Sequence, residues 1–251
     1  MSLDLLNRRA ALGALGAAFA VCKLPARAAA GGVPVFMYHH VNDSVPVNAI
    51  ALGLTLPTQR FESHVRYLAS NKIGTMTAWE LVDALERGHV PRNVAVLTFD
   101  DGYEDAATIV FPLLQRYGMR ATFFVNAGTI GRRGHVNWRE LRAMLKGGCE
   151  IGAHGDYHLD LTTLSRAGQM HEAGDCVERI ARWTGVRPVS YAYASGAYNA
   201  TTLNVMRTIR IKSAWTEHYG WANNVRNPYD MPRLRIARDT DVAGFAALVR
   251  G

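Results

Sequence analysis

Segments of strand character alternate with segments of helix character along this chain, and that alternation predicts an α/β fold on a parallel sheet, open or closed into a barrel. Three observations carry the expectation. Apolar runs rich in Val, Phe and Tyr, such as Val94–Phe99, recur between turn signals. The stretches between them space their apolar residues along one helix face. Histidine, aspartate and glycine stand directly after several of the runs, at the strand ends where parallel α/β folds place their chemistry.

Taken in order, residues 33–39 (VPVFMYH) read as the first strand. Phe61, Val65 and Leu68 are spaced as a helix face, with Thr58 as the cap. Thr77 opens a second helix, with Glu80 three residues on completing a capping box and Gly88 stopping it. Residues 94–100 (VAVLTFD) form a buried strand with a polar end, and a helical stretch follows to about Gly118. Residues 121–126 (ATFFVN) are a strand, Trp138 to Lys146 a helix, and Glu150 to His154 a short strand. Ala167 to Trp183 is a helix, 190–194 (SYAYA) a strand, and Ala200 to about Ile209 a helix. No internal repeat and no Pro/Ser-rich linker interrupts this order.

The chain has 251 residues, 49% hydrophobic and 20% charged, which excludes a disordered, collagen-like or low-complexity protein. Three Cys are too few for a disulfide scaffold. The net charge of +7 raises a nucleic-acid or anionic-surface partner. Much of that excess lies at the N-terminus. Arg8 and Arg9 precede a short apolar run from Ala10 to Val21, and small residues end at Ala28-Ala29-Ala30. That is the layout of a secretory signal, and the paired arginines suggest the twin-arginine route. The run is shorter than the roughly 20 residues a bilayer crossing needs. Residues 1–30 are therefore read as a removable leader and 31–251 as the mature domain, exported to the periplasm or outside the cell, with no stable membrane span in the mature chain. Val21 disfavours Cys22 as a lipidation site. Cys149 and Cys176 remain, either paired or free. The leader carries Arg8, Arg9, Lys23 and Arg27 against Asp4 alone. The other basic residues are dispersed, so nucleic acid is not an expected partner.

The strand ends supply the chemistry. The first strand ends in His39-His40, the 94–100 strand in Asp100-Asp101-Gly102, the next but one in His154, and the 190–194 strand in Ser195-Gly196. His154 and His158 have metal-ligand spacing, and two imidazoles with one carboxylate leave positions open for water and substrate. Two adjacent carboxylates after an apolar run are costly to bury unpaired, and a metal on one gives a reason for both. Successive strand residues point to opposite faces, so both enter one site only where the strand is ending, and Gly102 offers that freedom.

These residues resemble the polysaccharide deacetylase family, carbohydrate esterase family 4. Thr98-Phe-Asp-Asp-Gly-Tyr103 matches its first motif, and Glu150-Ile-Gly-Ala-His-Gly-Asp-Tyr-His-Leu-Asp-Leu161 its second. Tyr191-Ala-Tyr-Ala-Ser-Gly-Ala-Tyr-Asn199 is similar to its third, with Ala194 and Ser195 where Pro and Tyr are usual. Met37-Tyr-His-His-Val41 looks like the branch acting on poly-N-acetylglucosamine exopolysaccharides. The resemblance implies a distorted (β/α) barrel and a divalent metal, most often zinc, with cobalt or nickel as alternatives. It makes Asp101, His154 and His158 the metal ligands, Asp100 the catalytic base and His39 the general acid. The Ser195 backbone N–H becomes an oxyanion donor. The arginine found beside the third motif in many relatives is missing, and Arg233 is a candidate to orient Asp100 in its place. Tyr103, Tyr198, Trp215 and Trp221 are candidates for sugar contact. The substrate implied is an N-acetylglucosamine-containing polysaccharide. Peptidoglycan, chitin oligomers, acetylxylan or a small cyclic amide are alternatives, as is a non-catalytic polysaccharide-binding role.

Overall fold

The computed structural model describes residues 32–251, so the leader and Cys22 lie outside the described residues. Ten strands run β1 Val35–Tyr38, β2 His40–Val41, β3 Thr55–Leu56, β4 Gly74–Met76, β5 Val94–Phe99, β6 Thr122–Val125, β7 Glu150–Ala153, β8 Ser190–Ala192, β9 Ser213–Tyr219 and β10 Met231–Arg235. All the ladders between them are parallel. β5 to β10 follow one another in the sheet, and β1 pairs with both β10 and β5, which closes the ring. The expected barrel is therefore the observed one.

Its distortion has a definite place. Along the edge of β5 that faces away from β1, Met76 of β4 pairs with Val96, whereas Thr122 of β6 pairs with Thr98. Two strands thus share one edge, β4 below and β6 above, and the wall splays there. β2 and β3 form a small separate pair above β1.

Alternation along the strands sorts the core. Phe36, Tyr38, Leu97, Phe99, Phe123 and Val125 are buried in the larger cluster, which also holds Phe61 and Val65 of helix Thr58–Ser70. Their neighbours Val35, Val96 and Phe124 belong to a second cluster with Ala192, Trp215 and Met231. Leu81, Val82 and Leu85 of helix Ala78–Glu86 complete that cluster.

Most elements start where the sequence places them. The Thr77 capping box forms, with Thr77 accepting from the Glu80 amide and Glu80 from the Thr77 amide. Thr58 differs. Pro57 is the N-cap, and the Thr58 amide, now in the first helical turn, donates to Asp43. The helix expected over Ala167–Trp183 is broken by a π-helical turn at Met170–Asp175 before it continues as Cys176–Thr184. β9, β10 and helix Val242–Arg250 complete the chain beyond the elements read from sequence. Cys149 and Cys176 are buried free thiols. No helix among the described residues is long and apolar enough to cross a membrane.

Candidate metal and catalytic centre

The rim is assembled from the upper ends of β1, β5, β7, β8 and β10. β5 stops at Phe99, and the Asp100 amide still donates to the Tyr38 carbonyl of β1. The chain then turns through two residues of positive φ, Asp101 at 73° and Gly102 at 71°. Sequence reasoning assigned the freedom to Gly102 alone. The structure places it on both residues, and a Cβ on Gly102 would stand 3.1 Å from Val125.

Asp101 and the two histidines converge. Asp101 Oδ1 lies 3.4 Å from His154 Nε2 and 3.6 Å from His158 Nε2. One ligand atom from each of the three residues falls within 4.8 Å of the others. Donors about 2.0–2.1 Å from one tetrahedral ion stand roughly 3.3 Å apart, so the spacing and the Asp/His/His donor set both fit a divalent cation such as zinc. His154 is buried, and its Nδ1 donates to the Ala192 carbonyl at 2.7 Å, which turns Nε2 toward Asp101. Asn126 donates to the His154 carbonyl. His158 sits in a loop at φ 60°, not on a helix. That loop is held by buried Glu172, whose carboxylate accepts from the Tyr157 and Leu159 amides on either side.

Asp100 turns to a different partner. Arg233 on β10 meets it with two parallel bonds, Nη1 to Oδ1 and Nη2 to Oδ2, each 2.8 Å. Nε donates to the Thr216 carbonyl, and Nη1 also reaches Thr98. Both members of the pair are buried. Burial alone would raise the Asp100 pKa. The Arg233 guanidinium and the nearby His154 outweigh it and hold the group below the usual carboxylate range. Asp101 shows the same contest, burial against its histidine neighbours, and also ends low. His154 moves the other way, since burial pulls it down but Asp101 and Asp100 draw it up. Adjacent carboxylates that draw positive charge onto imidazole would equally draw a cation.

His39, between β1 and β2, is 8% exposed, and its Nδ1 has no hydrogen-bond partner among the described residues. Burial lowers its pKa, against the pull of Asp100 and Asp101. Ser195 lies in the tight turn Ala194–Gly196 after β8, at φ 53° and ψ 21°.

The aromatic candidates separate. Tyr103 is half-buried, and after burial the neighbouring Asp101 carboxylate is what pushes its pKa up. Half-buried Tyr198 stacks on Tyr193, with ring centres 5.0 Å apart. Trp215 is fully buried, pairs in register with Met231, and donates its indole N–H to Ser213, so it cannot offer a face to a sugar. Trp221 is half-buried, donates to the Leu248 carbonyl and packs edge-on against Tyr219. Asn126 and Glu172 were missed from sequence. Glu172 lies on the helical segment that follows the His158 loop, and only the fold brings it back under that loop.

Comparison with known proteins bears on the family and the fold. The family model described as polysaccharide deacetylase matches residues 87–214. YxkH of Bacillus subtilis (strain 168), which carries a polysaccharide deacetylase name, is 28% identical over 218 residues, covering 86% of this chain and 76% of its own length. The poly-beta-1,6-N-acetyl-D-glucosamine N-deacetylase of Staphylococcus aureus (strain MRSA252) is 24% identical over 194 residues, 72% of this chain and 67% of that protein. The Streptococcus pyogenes deacetylase PplD superposes with a TM-score of 0.82 at 23% identity, covering 87% of this chain and 98% of that one.

Proposed function

The chain belongs to the polysaccharide deacetylase family, hydrolases acting on acetyl groups, and from that premise we propose that it removes N-acetyl groups from an N-acetylglucosamine-containing polysaccharide and releases acetate. The observation that carries the reading is the Asp101/His154/His158 cluster beside an Arg233-clamped Asp100. Asp101, His154 and His158 would hold a divalent ion, with zinc fitting the donor set. When bound, such an ion acidifies water and polarises a carbonyl.

The protein's own groups do the rest. Asp100, kept ionised by Arg233, accepts the proton of the attacking water. Arg233 fixes the carboxylate in one plane through its paired bonds and is a positioning residue. The Ser195 N–H, presented by the turn after β8, donates to the carbonyl oxygen as charge develops on it. His39 donates a proton to the amine nitrogen as the C–N bond breaks, giving a free amine on the sugar. Tyr103 and Tyr198 remain as candidates for sugar contact. The leader, residues 1–30, sends the protein to the compartment where such polymers are found.

The test is acetate release from poly-N-acetylglucosamine, chitin oligomers, peptidoglycan and acetylxylan, with zinc, cobalt or nickel added and with a chelator. Metal-dependent release is expected, greatest on the N-acetylglucosamine polymer. Release that survives exhaustive chelation, or none from any polymer, overturns the reading.

A further inference from the structure

We propose that His40 and Asp105 are positioning residues that brace the strained turn presenting Asp101, an inference that rests on the reading of Asp101 as a metal ligand. Positive φ at Asp101, a non-glycine residue, is a conformation that persists where the surroundings hold it. Part of that constraint is backbone. The Val136 amide donates to the Gly102 carbonyl, and Tyr103 bridges His135 in antiparallel fashion.

The rest is a clamp on the Tyr103 ring, two residues past the ligand. His40 stacks on it with ring centres 3.4 Å apart and planes 18° from parallel, and His135 lies 5.5 Å away at 35°. His40 is itself fixed. Its backbone is in β2, paired with Thr55, and its Nδ1 is 2.7 Å from Asp105 Oδ2. That contact sets the orientation of the ring. Asn42 donates to the same oxygen at 2.7 Å. Asp105 is 7% exposed and leads into the π-helical turn Ala106–Val110, so it cannot move aside. Two segments distant in sequence, 40–42 and 103–105, thus close on one tyrosine beside the ligand. Partners behind a metal ligand set its orientation and are worth about 10–100-fold in metal affinity.

The experiment measures zinc affinity by competition with a chromogenic chelator, on purified full chain without substrate. Thermal unfolding is followed in parallel. His40→Ala and Asp105→Asn are each expected to bind zinc about tenfold more weakly. His40→Phe keeps a ring on Tyr103 without the Asp105 contact and should recover only part of that loss. A merely structural pair would lower the unfolding temperature in all three and leave the affinity of the folded protein unchanged, which would overturn the proposal. If His40→Ala does not fold, Asp105→Asn, of nearly the same volume, decides on the same readout. A native chain that binds no zinc overturns the metal reading together with this one. Weakened binding in the variants of a chain that deacetylates nothing would uphold the brace and sink only the proposed activity.

Discussion

At the rim of the barrel Asp100 is buried against a guanidinium. At the floor Glu150, the first residue of β7, is half-buried, its carboxylate held by neutral donors: the Ser190 hydroxyl at 2.6 Å, Thr122 Oγ1 at 2.9 Å and the Trp79 amide at 3.0 Å. Burial acts on both carboxyls in the same direction. At the floor it prevails over those hydrogen bonds, and the Glu150 pKa ends raised. At the rim the Arg233 charge reverses it, and Asp100 ends lowered. Hydrogen bonds alone satisfy a buried acid, whereas a full charge alongside decides that it stays ionised. One barrel therefore holds a carboxylate kept ionised, as the proposed base must be, and another suited to hold the fold together.

The largest effects separate the two neighbours at the rim. Asp101→Asn should abolish bound metal, by elemental analysis, and turnover with it. Asp100→Asn should keep the metal and lower kcat about 10²–10⁴-fold. Equal metal loss in both variants would break the division of labour. Next is the clamp. Arg233→Met strands a buried carboxylate and should cost about 3–5 kcal/mol in denaturant unfolding. The double variant Asp100→Asn with Arg233→Met should regain much of that loss, because no charge is left unpaired.

The smallest effect is expected at the floor. Glu150→Gln keeps one acceptor oxygen for the Trp79 amide and Thr122 and turns a donating N–H toward the Ser190 hydroxyl, and it should leave turnover intact. A carboxyl whose folded pKa is raised contributes stability below its unfolded value and loses it as pH climbs through the folded one. The native chain should therefore weaken relative to Glu150→Gln as pH rises above the ordinary glutamate range, by about 1 kcal/mol or roughly 2–4 °C in Tm. A gap that opens toward acid instead would contradict the contrast between the two ends.

What was legible in the sequence was local. The run Val94–Phe99 declares its strand and its polar end, and the Thr77 cap falls at its helix start. The candidate ligand set could be read because Asp101 and His154 stand at strand ends and His158 follows His154 at a ligand-like spacing. Trp215 misled because burial is not a local property: only the register with β10 turns its ring into the core. The Arg233–Asp100 pair spans 133 residues and could be suggested but not fixed, since no spacing rule reaches across a closing sheet. The Asp105–His40 contact was missed for the same reason. The splayed wall beside β5 follows from a pairing choice between β4 and β6 that neither strand's composition encodes.

The left-handed backbone of this rim has a consequence for how the protein can change. Asp101, His158 and Ser195 are three of six non-glycine residues with positive φ among the described residues. Each conformation costs about 1 kcal/mol or more in an L-residue, and glycine would relieve it. A lineage or a laboratory screen that rewards thermal tolerance alone would be drawn to these positions first. At 101 and 158 the gain would come by deleting a proposed metal ligand. Only joint selection for turnover keeps aspartate and histidine there.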